Sequence, residues 1–240
     1  MSADHGKGPP PKDPNAPVTD DRVSDDVAGG ARAADLHGNA IEDDDSGVPD
    51  VEEPEEEVEP PPAVIAELAA ACVRFVATRY GVMLDFTPET LSLVDQWVND
   101  ARADVAVNPQ TVDLVQGAAG AYLGEVIRLA FGGAWFAEGE QDGWRVDLSR
   151  VYLTFNPVGM VREALVLESQ EGWHAHLETD VAEREDLAAR LAALPEVPDD
   201  EYYAPTTRFD VVHIAYEALR ATMRAAGLDD VRFGPDDYRK

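Results

Sequence analysis

The segment that most constrains the fold is residues 109–131, a long and nearly uncharged stretch. An Asn-Pro pair marks its start and a pair of glycines its end, as expected for a helix. Between Asp113 and Arg128 the only charged side chain is Glu125. The same stretch contains three glycines, each costing a helix about 1 kcal/mol relative to alanine: Gly117, Gly120 and Gly124. Because glycine inside a helix often permits the close approach of another backbone, we expect this helix to be central and buried.

The rest of the folded part combines further helices with short strands. Apolar residues at helical spacing, together with capping signals, predict helices over residues 63–80, 87–105, 180–193 and 207–226. Short β-forming runs between turn signals predict strands over residues 82–86, 134–137, 144–148, 151–155, 164–167 and 173–178. The predicted fold is therefore α+β, with a helical N-terminal half packed on an antiparallel β-meander and two C-terminal helices after it.

The first 62 residues have a different character. They contain 18 acidic and four basic residues, a net charge of −14, and prolines cluster near both ends. Apolar residues are scattered singly, so little surface can be buried to offset the entropy of ordering. We predict a disordered acidic tail over residues 1–62 and a single α+β domain over residues 63–240.

The formal net charge of the whole protein is −29. Such a field repels nucleic-acid phosphates and anionic lipid headgroups. We therefore expect neither nucleic acid nor a membrane surface as a partner, and expect a protein partner with a basic surface. The N-terminus lacks the apolar run of a secretory signal, and no stretch reaches the length of a membrane span, which predicts a cytoplasmic location.

Several chemistries are difficult for this composition. The single cysteine, Cys72, lies in the apolar stripe of the first helix and is predicted to be an inert core thiol. Residues 13–239 contain no lysine, which excludes a P-loop lysine or a Schiff-base lysine there. Dinucleotide-binding glycine motifs and nucleophile-elbow serine motifs are also absent from the sequence. We predict no catalytic residue and no cofactor.

Two stretches resemble a known group of domains. Residues 84–91 read L-D-F-T-P-E-T-L, and residues 120–127 read G-A-Y-L-G-E-V-I, followed by Gly132-Gly133-Ala134-Trp135. They resemble a group of uncharacterised bacterial domains that share a G-A-Y-L-G-E-V-I helix leading into a G-G-x-W strand. The resemblance covers about residues 80–165. It implies the fold of that group and a bacterial origin, and it implies no activity.

The sharpest chemical pattern is His174, His176 and Glu178. In a strand these alternate residues share one face, where two imidazoles and a carboxylate could bind zinc or ferrous iron. The same alternation also describes an ordinary solvated strand face. A metal site and a solvated face therefore both remain open at this point.

Glu125 is the second candidate, because a lone carboxylate on an apolar helix should be at least partly buried. Burial would suit a general acid or base, or a polar group at the base of an apolar pocket. Burial also demands a partner, so Glu125 could instead join the helix to the sheet, paired with the Trp135 indole, a helix N-terminus or one of the arginines Arg145, Arg150 and Arg162. Tyr202 and Tyr203, in an acidic proline-flanked loop, are candidates for interface anchors or for packing onto the domain.

These observations favour a non-enzymatic interaction or regulatory protein, such as an adaptor, scaffold or neutralising partner, whose acidic tail acts as an electrostatic tether. One alternative is a metal-dependent enzyme or metal-binding module using His174, His176 and Glu178. Another is a small-molecule-binding module with Glu125 in an apolar pocket.

Overall fold

The computed structural model describes residues 59–108 and 110–239. Apart from its last four residues, the predicted disordered tail lies outside this range. The described residues form α1 (Ala63–Tyr80), α2 (Leu91–Val107), α3 (Gln110–Phe131), β1 (Gly133–Phe136), β2 (Arg145–Leu148), β3 (Leu153–Phe155), α4 (Pro157–Val166), β4 (Glu178–Thr179), α5 (Val181–Ala192), α6 (Asp199–Tyr202) and α7 (Pro205–Ala225).

Helix α3 is the centre of the core, as its sequence predicts. It packs against α1, α2, α4 and α7, and it is buried almost continuously from Val115 to Arg128. A Cβ atom placed on Gly120 would lie 2.5 Å from the Cα of Val158, and one on Gly124 would overlap the Trp135 ring. The glycines therefore allow α4 and β1 to approach α3 more closely than side chains would permit.

The four strands form one antiparallel sheet in the order β1-β2-β3-β4. The face toward the helices is buried and apolar, with Trp135, Val146, Leu148, Leu153 and Phe155. This arrangement of a helical N-terminal half on an antiparallel meander, with further helices at the C-terminus, confirms the predicted α+β class. Two details differ from the predicted arrangement. Helix α4 lies between β3 and β4 in the sequence, and the short helix α6 precedes α7.

The predicted strand at residues 164–167 is wrong, because this segment ends helix α4. The Asn156-Pro157 pair resembles a turn in sequence but works as a helix start. The Asn156 Oδ1 atom accepts hydrogen bonds from the backbone N–H groups of Val158 at 2.9 Å and Gly159 at 3.1 Å. The helix ends where Leu167 adopts a left-handed conformation, with φ 58°.

The predicted strands at residues 82–86 and 173–178 are also largely wrong. Residues 82–86 are irregular, and Phe86 has a φ of 64°. That conformation is held by the Phe86 N–H, which donates to Tyr122 Oη at 2.9 Å, and by stacking of the two rings. In the second segment only Glu178 pairs with β3, because His174, with φ 48°, turns the backbone out of the extended conformation.

None of the helices in the described part of the protein combines the length and the apolar character that crossing a bilayer requires.

Candidate functional site

The outward face of the sheet carries a row of polar and aromatic side chains. Phe136 lies opposite Arg145 in the β1–β2 register, and Thr154 of β3 lies opposite both Asp147 and Glu178. These residues alternate with the apolar residues of the inner face, so their side chains point away from the helices. The sheet thus presents one covered face and one open face.

A cavity of about 660 Å³ lies over this open face, within the size range of ligand pockets. We call it the sheet cleft. Its walls are both aromatic and polar, and its aromatic members include Phe136 of β1, Tyr152, which precedes β3, and Tyr238 in the segment that follows α7. The lining residues are Phe136, Asp142, Gly143, Trp144, Arg145, Tyr152, Thr154, Phe155, His174, Glu178, Tyr238 and Arg239.

The C-terminal segment after α7 builds one wall of the sheet cleft. Tyr238 is 6% exposed, and its ring stacks on Tyr152 with 4.6 Å between centroids. Its Oη atom accepts from the Leu153 N–H at 3.0 Å and donates to the Leu148 carbonyl at 2.7 Å. Burial raises the pKa of Tyr238 well above its ordinary value, so this residue anchors the segment as a neutral hydrogen-bonding group.

The arginines of the sheet cleft are neutralised by neighbouring carboxylates. Arg145 Nε lies 3.0 Å from Asp147 Oδ1, and its guanidinium covers the Phe136 ring at 4.2 Å. Burial raises the pKa of Asp147, although Arg145 and the Thr154 hydroxyl, which donates at 2.6 Å, both favour the charged form. Arg239 pairs in the same way with Asp236 at 2.9 Å.

The cleft walls also carry two exposed carboxylates, Asp142 and Glu178. His174 Nδ1 lies 3.4 Å from Glu178 Oε1 and adds positive charge only when it is protonated. Both carboxylates face solvent, so a cationic group can approach them without displacing buried structure. The sheet cleft therefore combines aromatic walls with accessible acidic side chains.

The structure separates the three residues of the predicted metal pattern. His174 and Glu178 meet at the sheet cleft, whereas His176 faces another cavity, where its Nε2 lies 3.3 Å from Ser169 Oγ. The irregular backbone of residues 173–177 is the cause, since only an extended strand places all three on one face. Across residues 59–108 and 110–239, no group of three His, Cys, Asp or Glu side chains is positioned to bind a metal ion.

Glu125 is buried and joins α3 to the sheet. Its Oε1 accepts from Arg128 Nε at 2.8 Å and from the Trp135 indole at 2.7 Å, while Oε2 accepts from Arg128 Nη2 at 2.8 Å. Arg128 also donates to the Glu59 carbonyl at 2.9 Å, which ties the start of the folded part to the same group. Both carboxylate oxygens therefore have strong partners within the protein.

Tyr202 and Tyr203 pack around a buried ion pair. Arg208 Nη2 lies 2.9 Å from Glu163 Oε2, and Glu163 is fully buried. The Arg208 guanidinium lies 4.7 Å from the Tyr202 ring centroid and 5.1 Å from that of Tyr203. Tyr202 remains 44% exposed, so it combines an internal contact with a surface position.

Comparison with known families gave one match. Residues 42–149 match a family of unknown function (DUF6278). The matched segment runs from the acidic tail through α1, α2 and α3 to the end of β2. It includes both sequence stretches that resemble an uncharacterised domain group. No curated protein and no solved structure matched this sequence.

Most residues of the sheet cleft were not predicted from the sequence. The alternation of Arg145 and Asp147 with Val146 and Leu148 is a signal that could have identified the outer face of β2. Tyr238 had no comparable signal, because its role depends on contacts with residues 85 to 90 positions away in the sequence.

Proposed function

We propose that this protein is a non-enzymatic interaction protein that binds a basic segment of another protein in the sheet cleft. The observation that carries the proposal is the combination of aromatic walls with two exposed acidic side chains, Asp142 and Glu178, on an open sheet face. Arginine and lysine side chains fit such a surface, since aromatic faces and carboxylates both attract cations.

The charge of the whole protein supports the same kind of partner. A net charge of −29 raises the local concentration of cationic segments and accelerates their encounter with the surface. The family match begins at residue 42, inside the acidic tail, so the matched unit includes part of that tail. We propose that the tail steers and tethers the partner while the sheet cleft holds it.

The polar groups of the interior favour an interaction role over catalysis. The carboxylates of Glu125, Asp147 and Glu163 each accept hydrogen bonds from neighbouring protein groups. Groups held in this way rigidify a fold, and their bonds would have to break before they could take or give a proton.

The test measures binding of a fluorescent hexa-arginine peptide to the full-length protein by anisotropy. The double variant Asp142→Asn/Glu178→Gln removes two acidic charges from the cleft. The double variant Glu168→Gln/Glu196→Gln removes two exposed charges elsewhere and changes the net charge equally. We expect about tenfold weaker binding for the cleft variant, equivalent to about 1.4 kcal/mol, and at most a twofold change for the control. Equal losses in the two variants would contradict binding in the sheet cleft.

Affinity capture tests which protein binds and whether the acidic tail contributes to that binding. Full-length protein and a form lacking residues 1–58, which keeps the Glu59 contact, should capture the same basic protein, but the full-length form should do so better at low salt. Raising the ionic strength past about 0.15 M, where the Debye length is roughly 8 Å, should remove most of that advantage. Capture that is indifferent both to salt and to the tail would contradict the electrostatic tether.

A further inference from the structure

A second, smaller cavity lies on another side of the protein, between residues 175–179, α5 and α7. Its volume is about 210 Å³, below the range of drug-sized ligand sites. Most of its wall is aliphatic, with Met160, Ala175, Leu177, Leu187, Leu191 and Val211. We call it the α5–α7 pocket, and nothing in the proposed protein-binding role uses it.

The charged residues that line the α5–α7 pocket all have the same sign. Arg184 and Arg208 line it, together with His176, and no Asp or Glu is among the described residues of its lining. The protein as a whole has 48 acidic and only 19 basic residues, so this lining differs sharply from the average surface. Because Arg208 is paired with the buried Glu163, Arg184 supplies the net positive charge of this apolar lining. Such a site on a strongly acidic protein selects for a ligand with a negative head and an apolar body.

Arg208 supplies hydrogen-bond donors that the protein leaves unused. It is 6% exposed, and among the described residues only its Nη2 atom has an acceptor, Glu163. Its Nε atom is buried and has no hydrogen-bond partner within the described part of the protein. Unpaired donors on a buried arginine are costly, so an acceptor entering the pocket would offset part of that cost.

Arg184 offers a second cation at the pocket wall. It is exposed on α5, and no described side chain forms an ion pair or hydrogen bond with it. On the same helix, Leu187, Ala188 and Leu191 line the pocket at positions three, four and seven residues later, which places them on the same face as Arg184. A ligand can thus contact the guanidinium and the aliphatic wall together.

We propose that the α5–α7 pocket binds a small aliphatic monocarboxylate. The carboxylate would lie between Arg184 and Arg208, and the hydrocarbon part would lie against the leucines of α5. Charge-assisted hydrogen bonds from arginine fix the head, and burial of methylene groups supplies affinity that grows with the length of the ligand.

The experiment titrates butanoate, hexanoate and octanoate into the full-length protein by isothermal calorimetry, with octanol and octylammonium as matched ligands of other charge. We expect one site, with affinity rising about threefold for each added methylene until the pocket is full. Octanoate should bind at least tenfold more tightly than octanol, and octylammonium, a cation suited to the sheet cleft, should show no binding that Ala188→Phe removes. Equal affinity for octanoate and octanol would overturn the proposal.

Two pairs of variants locate the site. Arg184→Gln should weaken octanoate at least tenfold, whereas Arg190→Gln, an exposed arginine on the same helix outside the pocket, should not. Ala188→Phe should block the pocket by filling it, whereas Ala189→Phe, on the exposed neighbouring position, should bind as the parent does. Equal effects within either pair would place binding elsewhere and contradict the assignment.

Discussion

Replacing Arg128 with methionine tests whether the buried Glu125–Arg128 pair holds α3 to the sheet. The side chains of Arg128 and Glu125 are 4% and 7% exposed, so Arg128→Met leaves the Glu125 carboxylate buried, with the Trp135 indole as its one remaining donor among the described residues. Removing one member of a buried ion pair typically costs about 3–5 kcal/mol. We expect Arg128→Met to lower the free energy of unfolding by that amount, measured by urea denaturation with far-ultraviolet circular dichroism.

Arg79→Met is the matched control. Arg79 lies 3.0 Å from Asp100, but its side chain is 58% exposed, and an exposed pair contributes far less to stability than a buried one. A further variant, Glu125→Leu/Arg128→Met, should cost less than Arg128→Met alone, because it leaves no buried charge unpaired. Equal costs for Arg128→Met and Arg79→Met, or a double variant that is the least stable of the three, would contradict this role of the buried pair.

Three further perturbations follow from the core and from one partly buried acid. Gly120→Ala should destabilise by about 1–3 kcal/mol in thermal or urea unfolding because its Cβ meets the Val158 backbone, whereas Gly117→Ala, which meets only the end of a flexible glutamine, should cost less. Burial raises the pKa of Asp95 from 3.8 to about 6, so the folded state binds this proton more tightly than the unfolded state does. Binding of this proton stabilises the folded state by at most about 3 kcal/mol below pH 4, and the stabilisation is lost as the pH rises through 6. Asp95→Asn should remove this part of the pH dependence of the free energy of unfolding. Since Cys72 is fully buried and burial raises the pKa of its thiol, native protein should react with a thiol reagent only as it unfolds, and early reaction would contradict this placement.

The central helix was predictable because its signals are local. A helix of this length with almost no charged side chains has no side that faces solvent. Glycines within such a helix indicate positions where another backbone approaches closely. The structure confirms both points, with Gly120 against α4 and Gly124 against Trp135. Only one of the two partners of Glu125 was predicted. Trp135 was among the candidates, but Arg128, three residues along the same helix, was not.

The strand errors have a common physical cause. Short apolar runs are compatible with a strand or with a buried helix turn, and the decision for residues 164–167 lay in the Asn156 cap eight residues before them. For residues 173–178, alternation of polar and apolar side chains was present, but a left-handed residue at His174 interrupts the extended backbone. The sheet cleft depends on strand register and on the returning C-terminal segment, and such long-range contacts leave little trace in local sequence.

The most direct measurement of the proposed function is a nitrogen-15 NMR titration of the full-length protein with the hexa-arginine peptide, observed at the tryptophan indoles. Trp144 lines the sheet cleft, whereas Trp97 is buried in α2 and stacks on Phe75. Binding in the cleft predicts a saturable shift of the Trp144 indole, little change at Trp97, and loss of the shift in Asp142→Asn/Glu178→Gln. A peptide that binds while leaving the Trp144 signal unmoved would contradict the account.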